Sequence, residues 1–138
     1  MPATDQCEPA VVNALAKDGW IVIDRPFTIQ LDKAKRSYIY ADLRLRNQAD
    51  NRTVIIIEVK CFSGNESLFN EFYGAIGQYA TYRDALNLLH IPAPLFLAVP
   101  SDIYATFFQT PIIQSVLTTL RIQLIIINIQ LEEIVEWT

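Results

Sequence analysis

Three ionisable side chains, Asp42, Glu58 and Lys60, stand where few charges belong and have the types that phosphoryl chemistry uses. Glu58 and Lys60 close the run Val54-Ile-Ile-Ile-Glu-Val-Lys60, whose β-branched residues predict a buried strand. Side chains alternate along a strand, so Ile55, Ile57 and Val59 share one face. Ile56, Glu58 and Lys60 share the other, with the two charges roughly 6.6 Å apart. An uncompensated charge in an apolar interior costs several kcal/mol, and stability alone would not select this pattern. A Glu-x-Lys triplet by itself arises by chance in about half of chains this long, so position and a second acid must narrow it. Asp42 closes the apolar segment before it, Tyr38-Ile-Tyr-Ala-Asp-Leu43, and the short polar stretch Arg44 to Asn51 predicts a hairpin between the two. Asp42, Glu58 and Lys60 are then expected to meet at one end of a sheet.

Two carboxylates on neighbouring strands, with the carbonyl of Val59 between Glu58 and Lys60, offer the hard oxygen ligands that Mg²⁺ or Mn²⁺ prefers. Such a metal lowers the pKa of a water and takes up charge on a leaving oxygen, and Lys60 would orient that water or neutralise the scissile phosphate. The arrangement resembles the PD-(D/E)xK nuclease signature, with Ala41-Asp42 in place of Pro-Asp and Glu58-Val59-Lys60 as the second half. The bland alternative is an ion pair at a strand end that touches solvent.

The elements that must position these residues follow from pattern. A helix is expected over Asp5 to Lys17, with Thr4 or Asp5 as cap, Val11, Ala14 and Leu15 at helical spacing, and Asp18-Gly19 as its end. Glu8 in its first turn reads as ordinary dipole compensation rather than a metal ligand. Trp20 to Ile23 makes a short strand, Arg25-Pro26 breaks it, and Phe27 to Leu31 continues toward a loop carrying Lys33, Lys35 and Arg36. These three cations precede the Asp42 strand, where they are placed to touch a DNA backbone; a solvated loop explains them equally well. Strands over Tyr38 to Leu45 and Thr53 to Phe62 complete a meander.

After Ser63-Gly64-Asn65 the period changes to that of a long helix, Ser67 to Leu89, with an apolar stripe of Leu68, Phe72, Ile76, Tyr79 and Leu86. Gly74 and Gly77 each cost up to ~1 kcal/mol relative to alanine, which suggests close backbone packing on the sheet or on DNA. Gln78 and Tyr82, four apart, lie on one face. A Gln-x-x-x-Tyr on the helix after Glu-x-Lys resembles the extra motif of RecB-type nucleases, which implies a role in holding the metal site or nucleic acid. A sheet-edge Gln and a core Tyr are the structural alternative. Leu95 to Val99 reads as a central strand, Ser101 to Phe108 and Pro111 to Leu120 as helices, Ile122 to Ile129 as a strand, and Glu133 to Trp137 as an antiparallel edge.

A chain of 138 residues forms one domain, 1–138, and 51% hydrophobic content suggests that some apolar surface meets a partner, a second copy included. No apolar run approaches the roughly 20 residues that span a bilayer, and no basic leader opens the chain, so a cytoplasmic protein is expected. Cys7 and Cys61 lie far apart without metal-ligand spacing, and are expected as small buried thiols. The net charge of −4 is awkward for a nucleic-acid protein, but residues 1 to 60 hold nine of the eleven basic side chains against eight acids, for +1. The half with the proposed site is the basic half. His90 is the single histidine and the four glycines form no phosphate-cradling loop, which leaves other catalysts poorly supported.

The likeness extends beyond the triplet. Met1-Pro-Ala, Ala14-Leu15-x-Lys17-Asp18-Gly19-Trp20, Tyr40-x-Asp42-Leu43, Glu58-Val59-Lys60-x-Phe62, Gly77-Gln78-Tyr79, Tyr82-Arg83-Asp84-x-Leu86, Leu97-Ala98-Val99-Pro100 and Trp137 together resemble the XisH family, the fdxN-element excision controlling factors. Cys61, where Ser is expected, and the Glu8 region, where His is expected, depart from that pattern. The resemblance implies an α/β, restriction-endonuclease-like fold with a mixed central β-sheet flanked by helices. It also implies an accessory role in excising a DNA element by site-specific recombination, beside a recombinase and a small XisI-type partner. Two functions follow: an active metal-dependent nuclease, or a binding factor with a dormant site that directs a separate recombinase. A plain interaction domain that never touches DNA is a third.

Overall fold

The computed structural model describes residues 6–64 and 66–138. Helix α1 (Glu8–Lys17) carries Pro9 in its first turn and ends where Gly19 takes a φ of 86°. The expected caps Thr4 and Asp5 lie outside the described residues; Cys7 holds the N-cap position without a side-chain hydrogen bond. Strand β1 (Trp20–Asp24) leads through a cis Arg25-Pro26 bond into β2 (Phe27–Asp32), followed by β3 (Ser37–Ala41), β4 (Leu43–Asn47) and β5 (Val54–Val59). Helix α2 (Leu68–Leu88) is capped by Ser67, whose hydroxyl accepts from the Asn70 N–H at 3.1 Å. Then come β6 (Leu95–Pro100), α3 (Ser101–Ala105), a 3₁₀ turn (Phe107–Gln109), α4 (Pro111–Thr119), β7 (Leu124–Asn128) and β8 (Glu133–Trp137).

Among the described residues the strands form a six-stranded sheet, ordered β1-β4-β5-β6-β7-β8, and a separate β2-β3 hairpin. β4 pairs antiparallel with β1 and β5, whereas β5, β6 and β7 run parallel, and β8 returns antiparallel along β7 as the expected edge. Parallel neighbours need a crossover, which α2 supplies between β5 and β6, and α3 with α4 between β6 and β7. The fold is therefore mixed α/β, as the resemblance implied.

β5 divides two cores. Ile55, Ile57 and Val59 pack with Val11, Ala14 and Leu15 of α1, while Ile56 packs with Phe72, Ala75, Tyr79 and Tyr82 of α2. Ile56 and Ile57 are fully buried, worth roughly 1.5–3 kcal/mol each relative to exposure. The alternation continues past the strand's end: Cys61 joins the α1 core and Phe62 the α2 core. The β2-β3 hairpin folds onto the α2 side, giving Ile29 and Ala41 to that core.

Four expectations change. The segment Tyr38 to Leu45 is not one strand of a meander: it breaks at Asp42, so that Ala41 pairs with Phe27 in the hairpin and Leu43 with Ile57 in the large sheet. Cys7 and Cys61 are not free thiols but a disulfide, because the alternation that carries Cys61 onto the α1 face brings it to the N-cap of that helix. Gly74 and Gly77 do not pack on the sheet; both are exposed, with open space where a Cβ would stand. The helix expected to run to Phe108 stops at Ala105, and a 3₁₀ turn buries Phe108 instead. No helix among the described residues is long and apolar enough to cross a membrane.

Candidate metal and nucleic-acid site

Asp42 occupies the bend between β3 and β4. Its neighbour Leu43 faces Ile57 in an antiparallel ladder, so Asp42 comes level with Glu58. The Asp42 N–H donates to Glu58 Oε1 at 3.1 Å, and the Val59 N–H donates to Asp42 Oδ2 at 2.7 Å. Each carboxylate is thus oriented by a backbone N–H at or beside the other acid. Glu58 is buried, 5% exposed, and a carboxylate so enclosed needs such donors.

Lys60 lies one residue beyond β5, half-buried. Its N–H donates to the Ala98 carbonyl at 3.0 Å, which extends the parallel ladder and keeps Lys60 in phase with Glu58 on the α2 side. The Val59 side chain is buried in the α1 core, so its contribution to the site is through the backbone.

Tyr82 on α2 lies close enough to both acids to feel their charge. Burial pushes its hydroxyl up to about 12, and the nearby Glu58 and Asp42 carboxylates push in the same direction. Gln78, one turn earlier, is exposed. Glu71 shares this helical stripe, about 20° from Tyr82 in phase. Its carboxylate is buried, and Oε2 has no hydrogen-bond partner among the described residues. Sequence reasoning missed Glu71, although its i, i+7, i+11 relation to Gln78 and Tyr82 was available. Tyr79 is buried in the core as the apolar stripe implies, and its hydroxyl donates to the Leu95 carbonyl at 2.9 Å and accepts the Gln123 N–H at 3.1 Å, pinning α2 across the sheet.

The other candidates sit apart. Lys33, Lys35 and Arg36 are exposed at the tip of the β2-β3 hairpin, where Asp32 Oδ1 accepts from the Ala34 and Lys35 N–H groups at 2.9 and 3.2 Å. The hairpin is rooted at Asp42, so its tip is about 20 Å of extended strand away. Glu8 does not join the acids: Arg25 donates to its Oε2 through Nε at 3.2 Å and Nη2 at 3.0 Å.

Among the described residues no group of three or more His, Cys, Asp or Glu side chains is arranged to hold a metal. The donor set is thus two carboxylates and backbone oxygen. That set fits a magnesium-like ion, which is commonly held by one or two carboxylates, waters and substrate phosphate oxygens.

The family model described as XisH protein matches residues 1–135. A crystal structure of an XisH family protein from Nostoc punctiforme is 30% identical, covers 96% of this chain and 98% of its own, and superposes with a TM-score of 0.86. A crystal structure of an fdxN element excision controlling factor protein from Anabaena variabilis is 31% identical, with coverage of 94% and 95% and a TM-score of 0.84. A search of the curated proteins finds no match.

Proposed function

Because the chain belongs to the XisH family, we propose that it serves in the controlled excision of a DNA element, using a nuclease-like site built on Asp42, Glu58 and Lys60. The observation that carries this reading is the reciprocal backbone bonding of Asp42 and Glu58, which places two acids together at the end of the central strands. Mixed-sheet order, with Glu58 on β5, Asp42 at the bend that leads into the neighbouring β4, and Tyr82 close to both, supports a restriction-endonuclease-like, PD-(D/E)xK relationship.

In this reading Asp42, Glu58 and the Val59 carbonyl hold Mg²⁺ or Mn²⁺. When bound, the cation supplies positive charge at the scissile phosphate. Lys60 adds a second positive charge beside it and orients the attacking water. Tyr82, a neutral phenol at any ordinary pH, offers a hydroxyl that can donate to an oxygen acceptor near the acids. Gln78 reaches nucleic acid from the exposed side of α2. Lys33, Lys35 and Arg36 contact phosphates at the end of the hairpin arm, as point charges that position the duplex without reading sequence.

The partners in this proposal are DNA, a site-specific recombinase, an XisI-type protein and a second copy of the chain, in the cytoplasm. A second reading, a dormant site in a regulator that directs a separate recombinase, is favoured by the fact that both acids already serve backbone N–H groups. Nicking of supercoiled DNA with Mn²⁺, with Lys60→Ala as control, separates the two. Cleavage lost in the variant supports the nuclease; equal absence of cleavage in both proteins assigns the dormant regulator.

A further inference from the structure

Beyond the ends of β5, β6 and β7 lies a cavity of about 390 Å³, lined by Cys7, Cys61, Phe62, Ser101, Asp102, Asn128 and neighbours. Its position, at the carboxyl ends of parallel strands, is where open α/β sheets bind ligands. Its volume falls in the range of small-molecule sites. The disulfide forms part of its wall, and both cysteines keep 9% of their surface open. Ser101, Asp102, Asn128 and Gln130 offer hydrogen-bonding groups opposite it.

We propose that this cavity is a thiol-exchange site, in which a small thiol of the glutathione class opens the Cys7–Cys61 disulfide and frees the segment that carries Lys60. The inference stands whether or not the acid pair binds a metal. It rests on two features besides the cavity. The Cys7 N–H donates to Cys61 Sγ at 3.0 Å, so negative charge arriving on that sulfur is stabilised where it forms. The disulfide also ties the N-cap of α1 to the residue after Lys60, so its opening releases α1's first turn and the end of β5 together.

The steps balance. A thiolate RS⁻ attacks Cys7 Sγ; the RS–Sγ bond forms as the Sγ–Sγ bond breaks, and the electron pair leaves on Cys61 Sγ, which takes a proton from water. A second thiolate attacks the sulfur of the R group in the mixed disulfide, RSSR departs, and Cys7 leaves as thiolate and is protonated. The protein disulfide gains two electrons and two thiols become RSSR. Attack at Cys7 is the favoured direction because the better-stabilised leaving sulfur is Cys61. Glu8, beside Cys7, is paired with Arg25, which leaves Asp102 as the carboxylate of the cavity wall that the incoming anion must pass.

Glutathione is the probe. The full oxidised chain is incubated with it under native conditions, quenched with acid and mapped by mass spectrometry, beside Gln130→Trp, which narrows the mouth of the cavity from an exposed turn. The expected result is a mixed disulfide on Cys7, formed about tenfold more slowly in Gln130→Trp, with hydrogen exchange on reduction rising in residues 7–11 and 60–62 but not in β6 or β7. An adduct on Cys61 instead, equal rates in the two proteins, or opening only at the rate of global unfolding would overturn it.

Discussion

Asp42 and Glu58 are fastened by each other's strands: the Asp42 N–H donates to the Glu58 carboxylate, and the N–H of Val59, next to Glu58, donates to Asp42. The charges are thus fixed before any ligand arrives. They also close the point where the chain leaves the hairpin for the large sheet.

That fastening makes Asp42 structural as well as chemical. Asp42→Ala removes the acceptor of the Val59 N–H and should lower stability by about 1–3 kcal/mol. Asp42→Asn keeps an oxygen there and should cost clearly less. Urea unfolding of the two variants checks this, and equal midpoints would mean that the bond to Val59 contributes nothing.

Tyr82 reports on the pair. Its pKa is raised from 10.0 to about 12, so its protonated form favours the folded state; that contribution is complete below pH 10 and is lost as pH rises through about 12. Tyrosinate absorbance should show a late step near that pH which Tyr82→Phe abolishes. Glu58→Gln should move the step down, though not to 10.0, since burial is the larger cause. A step unmoved by that substitution would separate Tyr82 from the acids.

The hairpin tip makes a different kind of forecast. If Lys33, Lys35 and Arg36 each neutralise one phosphate, replacing all three with alanine should reduce the slope of log K against log salt by about 2.7. Binding titrations at several salt concentrations give the slope. An unchanged slope would leave these cations as a solvated turn.

The β5 faces are legible in the sequence because strict alternation from Ile55 to Val59 survives into the structure without a bulge. The long helix was legible from its period and length. The break at Asp42 was not, since Tyr38 to Leu45 carries no glycine or proline to mark it; the break is made by hydrogen bonds to a strand 16 residues away. The disulfide was hidden for a related reason. Spacing in the chain argued against it, while the parity of Cys61 with Val59, which puts it on the side α1 covers, argued for contact with that helix. Lys33, Lys35 and Arg36 were placed in a turn correctly, but the reach of the hairpin away from the acids depends on tertiary docking that local pattern does not carry.

In the nuclease reading Asp42 and Glu58 together hold a divalent cation. Calorimetric titration of the wild type with Mn²⁺, beside Glu58→Gln, which keeps an acceptor for the Asp42 N–H while removing the charge, tests it most directly. Saturable heat in the wild type and at least a tenfold weaker affinity in the variant is the predicted result. Equal heats in the two proteins would contradict it.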